Sequence, residues 1–255
     1  MTLLVDVGNT RIKWATLERG RLVNRGSAVH RDAVDAALAA FGAALPPQPR
    51  VIAANVAGEA VANGLAALVA ARPGASLNLV ATSAERFGVR CAYSDPSRLG
   101  VDRWVAVLAA HHAARGAACV INAGTAVTFD AVDASGAHLG GLIMPGAGLF
   151  AAALDRNTRN IGPTAPAAAV ARGLDLLGRS TDAAVGHGAW LALAAALDRA
   201  TATVARALGT TPVVYLTGGD AEALHGWLET QVQLRADLVL EGLALFAASE
   251  AEAGR

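Results

Sequence analysis

Leu3-Leu4-Val5-Asp6-Val7-Gly8-Asn9-Thr10-Arg11-Ile12-Lys13-Trp14 and, at mid-chain, Cys119-Val120-Ile121-Asn122-Ala123-Gly124-Thr125-Ala126-Val127-Thr128-Phe129 share one layout. An apolar run enters a polar glycine turn and leaves as a second apolar run. Asp6 aligns with Asn122, Gly8 with Gly124 and Asn9 with Thr125. The doubling predicts a strand, a tight turn and a returning strand built twice, hence two related α/β halves facing one cleft. A glycine lets the backbone approach an anion closely and turn its N–H groups towards it. Small hydroxyl and amide side chains add donors, so the two turns suit the phosphates of a nucleotide.

The rest of the chain fits that reading. It alternates strand and helix after an opening run of strands, and then does so again. Strands are expected at 2–7, 11–18, 21–28, 51–56, 76–80, 117–122, 125–133, 137–144 and 213–216. Helices are expected at 31–42, 58–71, 99–115, from Pro145-Gly146 to about 155, and at 182–208, 220–229 and 239–250. Gly116 reads as the cap that stops the helix before it. Residues 81–98 and 156–181 read as irregular. The boundary between halves is placed near residue 116, giving 1–116 and 117–255.

Composition narrows the class. Of 255 residues, 54% are hydrophobic and 16% charged, enough apolar material for a sizeable core. Lys+Arg and Asp+Glu both number 21, which argues against a generally basic nucleic-acid binder. The two cysteines, Cys91 and Cys119, have neither metal nor redox spacing. No signal-peptide layout or membrane-spanning run is seen, so a cytoplasmic protein without a membrane partner is expected. The six histidines are scattered without zinc spacing. No Gly-x-x-x-x-Gly-Lys-Ser/Thr loop occurs, which excludes a P-loop enzyme, and no Gly-x-Gly-x-x-Gly follows the first strand.

Several residues then stand out. Asp6 ends a buried strand, where a carboxylate is costly unless paired or holding a cation. Period-two alternation puts Arg11 and Lys13 on one face of the returning strand and Ile12 and Trp14 on the other. Thr125 offers a hydroxyl and an N–H to a phosphate. Asp102 and Arg103 open a helix. Asp102 reads equally as a first-turn residue favoured by the helix dipole or as a base accepting a proton from a substrate hydroxyl, with Arg103 holding a carboxylate. Gly140-Gly141 and Thr217-Gly218-Gly219-Asp220 lie at strand ends, as simple turns or as places where backbone meets a ligand. Ser180-Thr181 reads as a helix cap.

Together these residues resemble the type III pantothenate kinases, of the acetate kinase/sugar kinase/heat-shock ATPase/actin superfamily. The resemblance rests on the order of Asp6-Val7-Gly8-Asn9-Thr10-x-x-Lys13, Tyr93, Gly100-Val101-Asp102-Arg103, Ala123-Gly124-Thr125-Ala126, Gly140-Gly141 and Thr181. It implies two actin-like (ribonuclease H-like) halves with a nucleotide cleft between them, and ATP-dependent phosphorylation of pantothenate. It implies that Asp6, Val7, Gly8, Asn9, Thr10, Arg11, Ile12 and Lys13, with Thr125, bind ATP, and that Asp102 is the general base. Tyr93, Gly100, Val101, Asp102, Arg103 and Thr181 would contact pantothenate. It further implies Mg²⁺, assigned to Asp6, a monovalent cation (K⁺ or NH₄⁺), and a homodimer. The family usually has Asp where this chain has Asn122, so the cation would meet an amide oxygen without the charge. A nucleotide-sensing regulatory protein of the same fold without turnover is the rival reading. A phosphatase of the superfamily is a third, but it lacks an expected extra acidic residue beside the second turn.

Overall fold

A computed structural model describes residues 1–31, 33–166 and 169–253. Residue 32 of the first expected helix, residues 167 and 168 of the expected loop and residues 254 and 255 lie outside the described residues. In chain order the elements are β1 (Thr2–Val7), β2 (Arg11–Glu18), β3 (Arg21–Val29), α1 (Val34–Ala44), β4 (Arg50–Asn55), α2 (Glu59–Ala70), β5 (Ser76–Leu79), β6 (Glu85–Arg86), β7 (Val89–Arg90), α3 (Val101–Ala114), β8 (Ala118–Ala123), β9 (Ala126–Val132), β10 (His138–Pro145), α4 (Ala147–Asn157), α5 (Thr181–Leu208), β11 (Val213–Thr217), α6 (Ala221–His225), β12 (Gln233–Leu234) and α7 (Leu238–Ala253).

The doubling seen in the sequence is repeated in the topology. One five-stranded sheet runs β3-β2-β1-β4-β5 and the other β10-β9-β8-β11-β12. In each, three antiparallel strands lead into two parallel ones. Two short strands the sequence did not separate, β6 and β7, form a hairpin within the region expected to be irregular. β12 is a further addition.

Two compact units result: Met1–His112 with Asp237–Arg255, and Ala113–Ala236. The sequence reading kept 117–255 together, whereas α7 groups with the first sheet. The reason is packing. α7 lies against β1, β4 and β2, on the face that buries Leu4, Ala15, Ile52 and Ala54. At Gly242 a Cβ would meet the Val105 carbonyl oxygen at 2.2 Å, so α7 presses backbone to backbone on α3.

In the first unit the opposite face of the sheet presents Leu3, Val5, Val7, Ile12 and Trp14 to Phe41 of α1 and Leu65 and Val69 of α2. Trp14 and Phe41 meet edge to face with centroids 5.7 Å apart. In the second unit Ile121, Val127, Phe129, Val214 and Leu216 pack on Ala189, Trp190, Leu193 and Leu197 of α5. This long helix is bounded as its sequence dictates. The Ser180 hydroxyl accepts from the Ala183 N–H at 3.2 Å, and Gly209 adopts a left-handed φ of 64° at the end. α3 ends differently from the expectation. Arg115, not Gly116, takes the left-handed conformation, with φ 51°.

Candidate active site

The first turn joins two ladder strands. The Gly8 N–H donates to the Arg11 carbonyl at 3.0 Å, and the Val7 carbonyl accepts from the Val56 N–H at 2.9 Å. Asp6 stands directly opposite Lys13 across β1 and β2. As alternation required, Ile12 and Trp14 are buried, Lys13 is half-buried and Arg11 is exposed. Asp6 keeps partial contact with solvent, yet its carboxyl is pushed up to about 7. Burial in the surrounding protein is the main cause. The negative charge of Asp102 adds to it, and the Lys13 ammonium opposes it.

Asp102 belongs to the same unit. It opens α3, and its Oδ1 accepts from the Arg103 N–H at 2.8 Å. Gly100 leaves room for that carboxylate, since a Cβ there would lie 2.8 Å from Asp102 Oδ1. Arg103 is buried, only 5% exposed, and its Nη1 donates to the Tyr93 hydroxyl at 3.3 Å. The segment between them is held locally. Asp95 accepts from Ser97 N–H and Oγ at 3.0 and 2.6 Å, and the Thr82 hydroxyl donates to the Leu99 carbonyl at 2.9 Å. The structure thus gathers Asp6, Lys13, Tyr93, Gly100, Asp102 and Arg103 on one unit. One side chain without a signal in the sequence, His30, also touches the first turn.

The second turn is the counterpart of the first but is held by backbone. Its Gly124 N–H donates to the Ala126 carbonyl at 3.2 Å, and Gly146 and Asp220 donate N–H bonds to the Thr125 and Ala123 carbonyls at 2.9 and 3.0 Å. No side chain fits between these segments. A Cβ at Gly146 would lie 2.3 Å from the Gly124 oxygen, and one at Gly218 (φ 105°) would lie 2.0 Å from the Ala123 oxygen. Gly218 and Gly146 therefore shape this turn. Gly140, by contrast, has a left-handed φ of 98° where β10 shifts register. Asn122 stands between Thr128 of β9 and Thr217 of β11 in register. Where the first sheet places an acid and a lysine, the second places an amide and hydroxyls. Thr181 lies in this second unit, exposed in the first turn of α5. Asp220, at the edge of the same turn, has its carboxyl raised by burial.

Among the described residues no three of His, Cys, Asp or Glu gather as a metal cage. No described helix is long and apolar enough to cross a membrane.

The family model for type III pantothenate kinase matches residues 2–203. Proteins named type III pantothenate kinase are similar along nearly the whole chain. That from Aromatoleum aromaticum is 38% identical, covering 99% of this chain and 100% of its own. That from Chromobacterium violaceum is 40% identical, covering 95% and 98%. That from Nitrosococcus oceani is 35% identical, covering 96% and 92%. Solved structures at low identity share the fold. The (R)-2-hydroxyglutaryl-CoA dehydratase component A of Acidaminococcus fermentans superposes with a TM-score of 0.55 at 14% identity over 98% of each chain. The ethanolamine utilization protein EutJ of Carboxydothermus hydrogenoformans does so with 0.54 at 16%, over 96% and 89%.

Proposed function

This chain belongs to the type III pantothenate kinase family, and from that premise we propose how its residues carry the reaction. The chain is a kinase that transfers phosphate from ATP to pantothenate, giving 4′-phosphopantothenate, the first step of coenzyme A biosynthesis. The observation that carries the assignment of residues is that Asp102 lies close enough to the Asp6–Lys13 pair to act on the Asp6 charge.

Phosphoryl transfer asks little covalent chemistry of the protein. It requires an aligned hydroxyl and neutralised charge on the phosphate oxygens. Asp102 accepts or orients the proton of the primary hydroxyl. The Arg103 guanidinium, steadied by Tyr93, holds the pantothenate carboxylate, with Gly100, Val101 and Thr181 completing the contacts. The stretch from Asp6 to Lys13 grips ATP through its backbone and the Lys13 ammonium, and the Thr125 hydroxyl and N–H also serve the phosphates.

Two cations complete the reading. Mg²⁺ takes one or two carboxylates and otherwise phosphate and water. Asp6 fits that role, because its raised proton affinity marks a carboxylate short of compensating positive charge. When bound with ATP, Mg²⁺ neutralises charge on the transferring phosphate. Asn122, flanked in register by Thr128 and Thr217, offers neutral oxygens that suit a singly charged ion, K⁺ or NH₄⁺. The protein acts as a homodimer, as the apolar side chains exposed on β10, α4 and α5 favour. Cys91 and Cys119 are both free thiols, in keeping with the cytoplasm as the proposed location.

Incubation of the purified protein with ATP and pantothenate tests the activity, with phosphopantothenate as the expected product. Calorimetry tests the site. Lys13→Ala and Thr125→Val should each weaken ATP binding, and parent-like affinity in both overturns the phosphate assignment. A non-catalytic nucleotide-binding regulator is not favoured in a chain that keeps both Lys13 and Asp102.

A further inference from the structure

We propose that His30 is a positioning residue for the ATP phosphates, acting through the backbone of the first turn. The inference rests on the reading of Gly8-Asn9-Thr10 as a phosphate loop. His30 directly follows β3 and is buried, 4% exposed. It reaches both sides of the turn. Its backbone N–H donates to the Thr10 carbonyl at 2.9 Å, one step beyond the Arg11–Val29 pair that ends the β2–β3 ladder. Its ring Nε2 lies 2.6 Å from the Gly8 carbonyl oxygen. A carbonyl only accepts, so Nε2 carries the proton and donates.

The chemistry of anion binding explains why this matters. An anion is held by N–H groups and repelled by carbonyl oxygens, so a loop that grips phosphate must turn its carbonyls away from it. Here the carbonyls of Val7, Gly8 and Thr10 are each occupied by a donor of the protein: Val56 N–H, His30 Nε2–H and His30 N–H. Two of the three donors belong to His30. Only the ring bond depends on the side chain, and it falls on Gly8, the residue with the greatest freedom to rotate its peptide. Without that bond the Gly8 carbonyl is released to face the phosphates. In the second turn the N–H groups of Gly146 and Asp220 hold the Thr125 and Ala123 carbonyls directly.

The test separates this role from general packing. Gln carries an N–H donor at nearly the distance of Nε2, Asn carries one only at the nearer position, and Leu carries none. ATP affinity by calorimetry, and the KM for ATP and for pantothenate, are measured in the parent and in His30→Gln, His30→Asn and His30→Leu. We expect Leu and Asn to weaken ATP binding roughly three- to tenfold, the worth of one hydrogen bond, with the KM for pantothenate unchanged. Gln should restore ATP binding. Parent-like ATP affinity in the Leu variant, or equal losses in Gln and Asn, overturns the role of His30 and leaves the ATP reading standing. Should Leu fail to fold, the Gln–Asn contrast alone decides. A parent that binds no ATP overturns the phosphate-loop reading and the inference with it.

Discussion

Lys13 faces Asp6 across the first antiparallel ladder, and its charge lowers a carboxyl that burial and Asp102 raise from 3.8 to about 7. Because the folded protein holds this proton more tightly than the unfolded chain, the contribution to stability has a definite sign. It is fully present below about pH 3.8 and is lost as pH rises through about 7. Asp6→Asn should therefore remove a fall in stability across that window, seen in urea unfolding at several pH values. If Asp6 serves Mg²⁺, binding of Mg-ATP below about pH 7 should also release a proton from the parent and not from the variant. Calorimetry in buffers of different ionisation enthalpy reads this directly, and equal heats in parent and variant would remove Asp6 from the metal.

Asp102→Asn should lower kcat by about 10²–10⁴-fold, the usual worth of general-base help, while ATP binding stays within a few-fold. The side chain keeps its size and its acceptor for the Arg103 N–H. Near-normal turnover would mean that another group takes the proton.

Gly100→Ala tests the placement of that base rather than its identity. The added Cβ would lie 2.8 Å from Asp102 Oδ1, and the carboxylate, the movable partner, must shift. A displacement of this order costs up to about 10²-fold in kcat. Thermal stability should change little, because the clash is relieved by one side chain. A parent-like kcat would show that the carboxylate does not need its present position.

Asn122→Asp addresses the cation. A carboxylate binds a monovalent ion by direct charge attraction, while an amide offers only its dipole. The parent should need more K⁺ or NH₄⁺ for half-maximal activity than the Asp variant. Identical cation dependence in the two proteins would move the site away from residue 122.

Ile143→Glu addresses assembly. Leu142 and Ile143 of β10 are 47% and 65% exposed, and Leu149 of α4 and Leu191 of α5 are 37% and 44% exposed. α4 packs against both β10 and α5. Exposed apolar side chains on this strand and on the helices beside it are the subunit contact we propose. A charge at Ile143 should halve the mass seen by light scattering and reduce activity, and an unchanged mass would place the subunit contact elsewhere.

The strand–turn–strand doubling was legible because a two-residue period and a glycine turn are local signals. That was enough to anticipate two sheets, which prove to share one strand order. The alternation of β2, with Ile12 and Trp14 buried and Arg11 and Lys13 on the other face, also followed from local geometry, whereas the pairing of Lys13 with Asp6 appeared only in the strand register. What stayed hidden depends on contacts distant in sequence. His30 lies 22 residues from Gly8 and looks like any lone histidine until β3 returns beside β2. α7 reads as one more apolar helix, and only its packing on β1 and β4 assigns it to the first sheet. Gly146 and Gly218 read as turn glycines. Their need for a missing Cβ appears only when the backbone of residues 123–125 lies against them.

That last helix also sets an order of events during synthesis. Arg50 of β4 and Asn78 of the neighbouring β5 both reach Glu250 of α7, so the first sheet keeps partners that the ribosome makes only after the whole second unit. Residues 113–236 are continuous and can collapse as soon as they emerge, whereas the first sheet must wait with its Leu4 and Ile52 face uncovered. A message interrupted before codon 237 would accordingly spoil the half of the protein that was translated first.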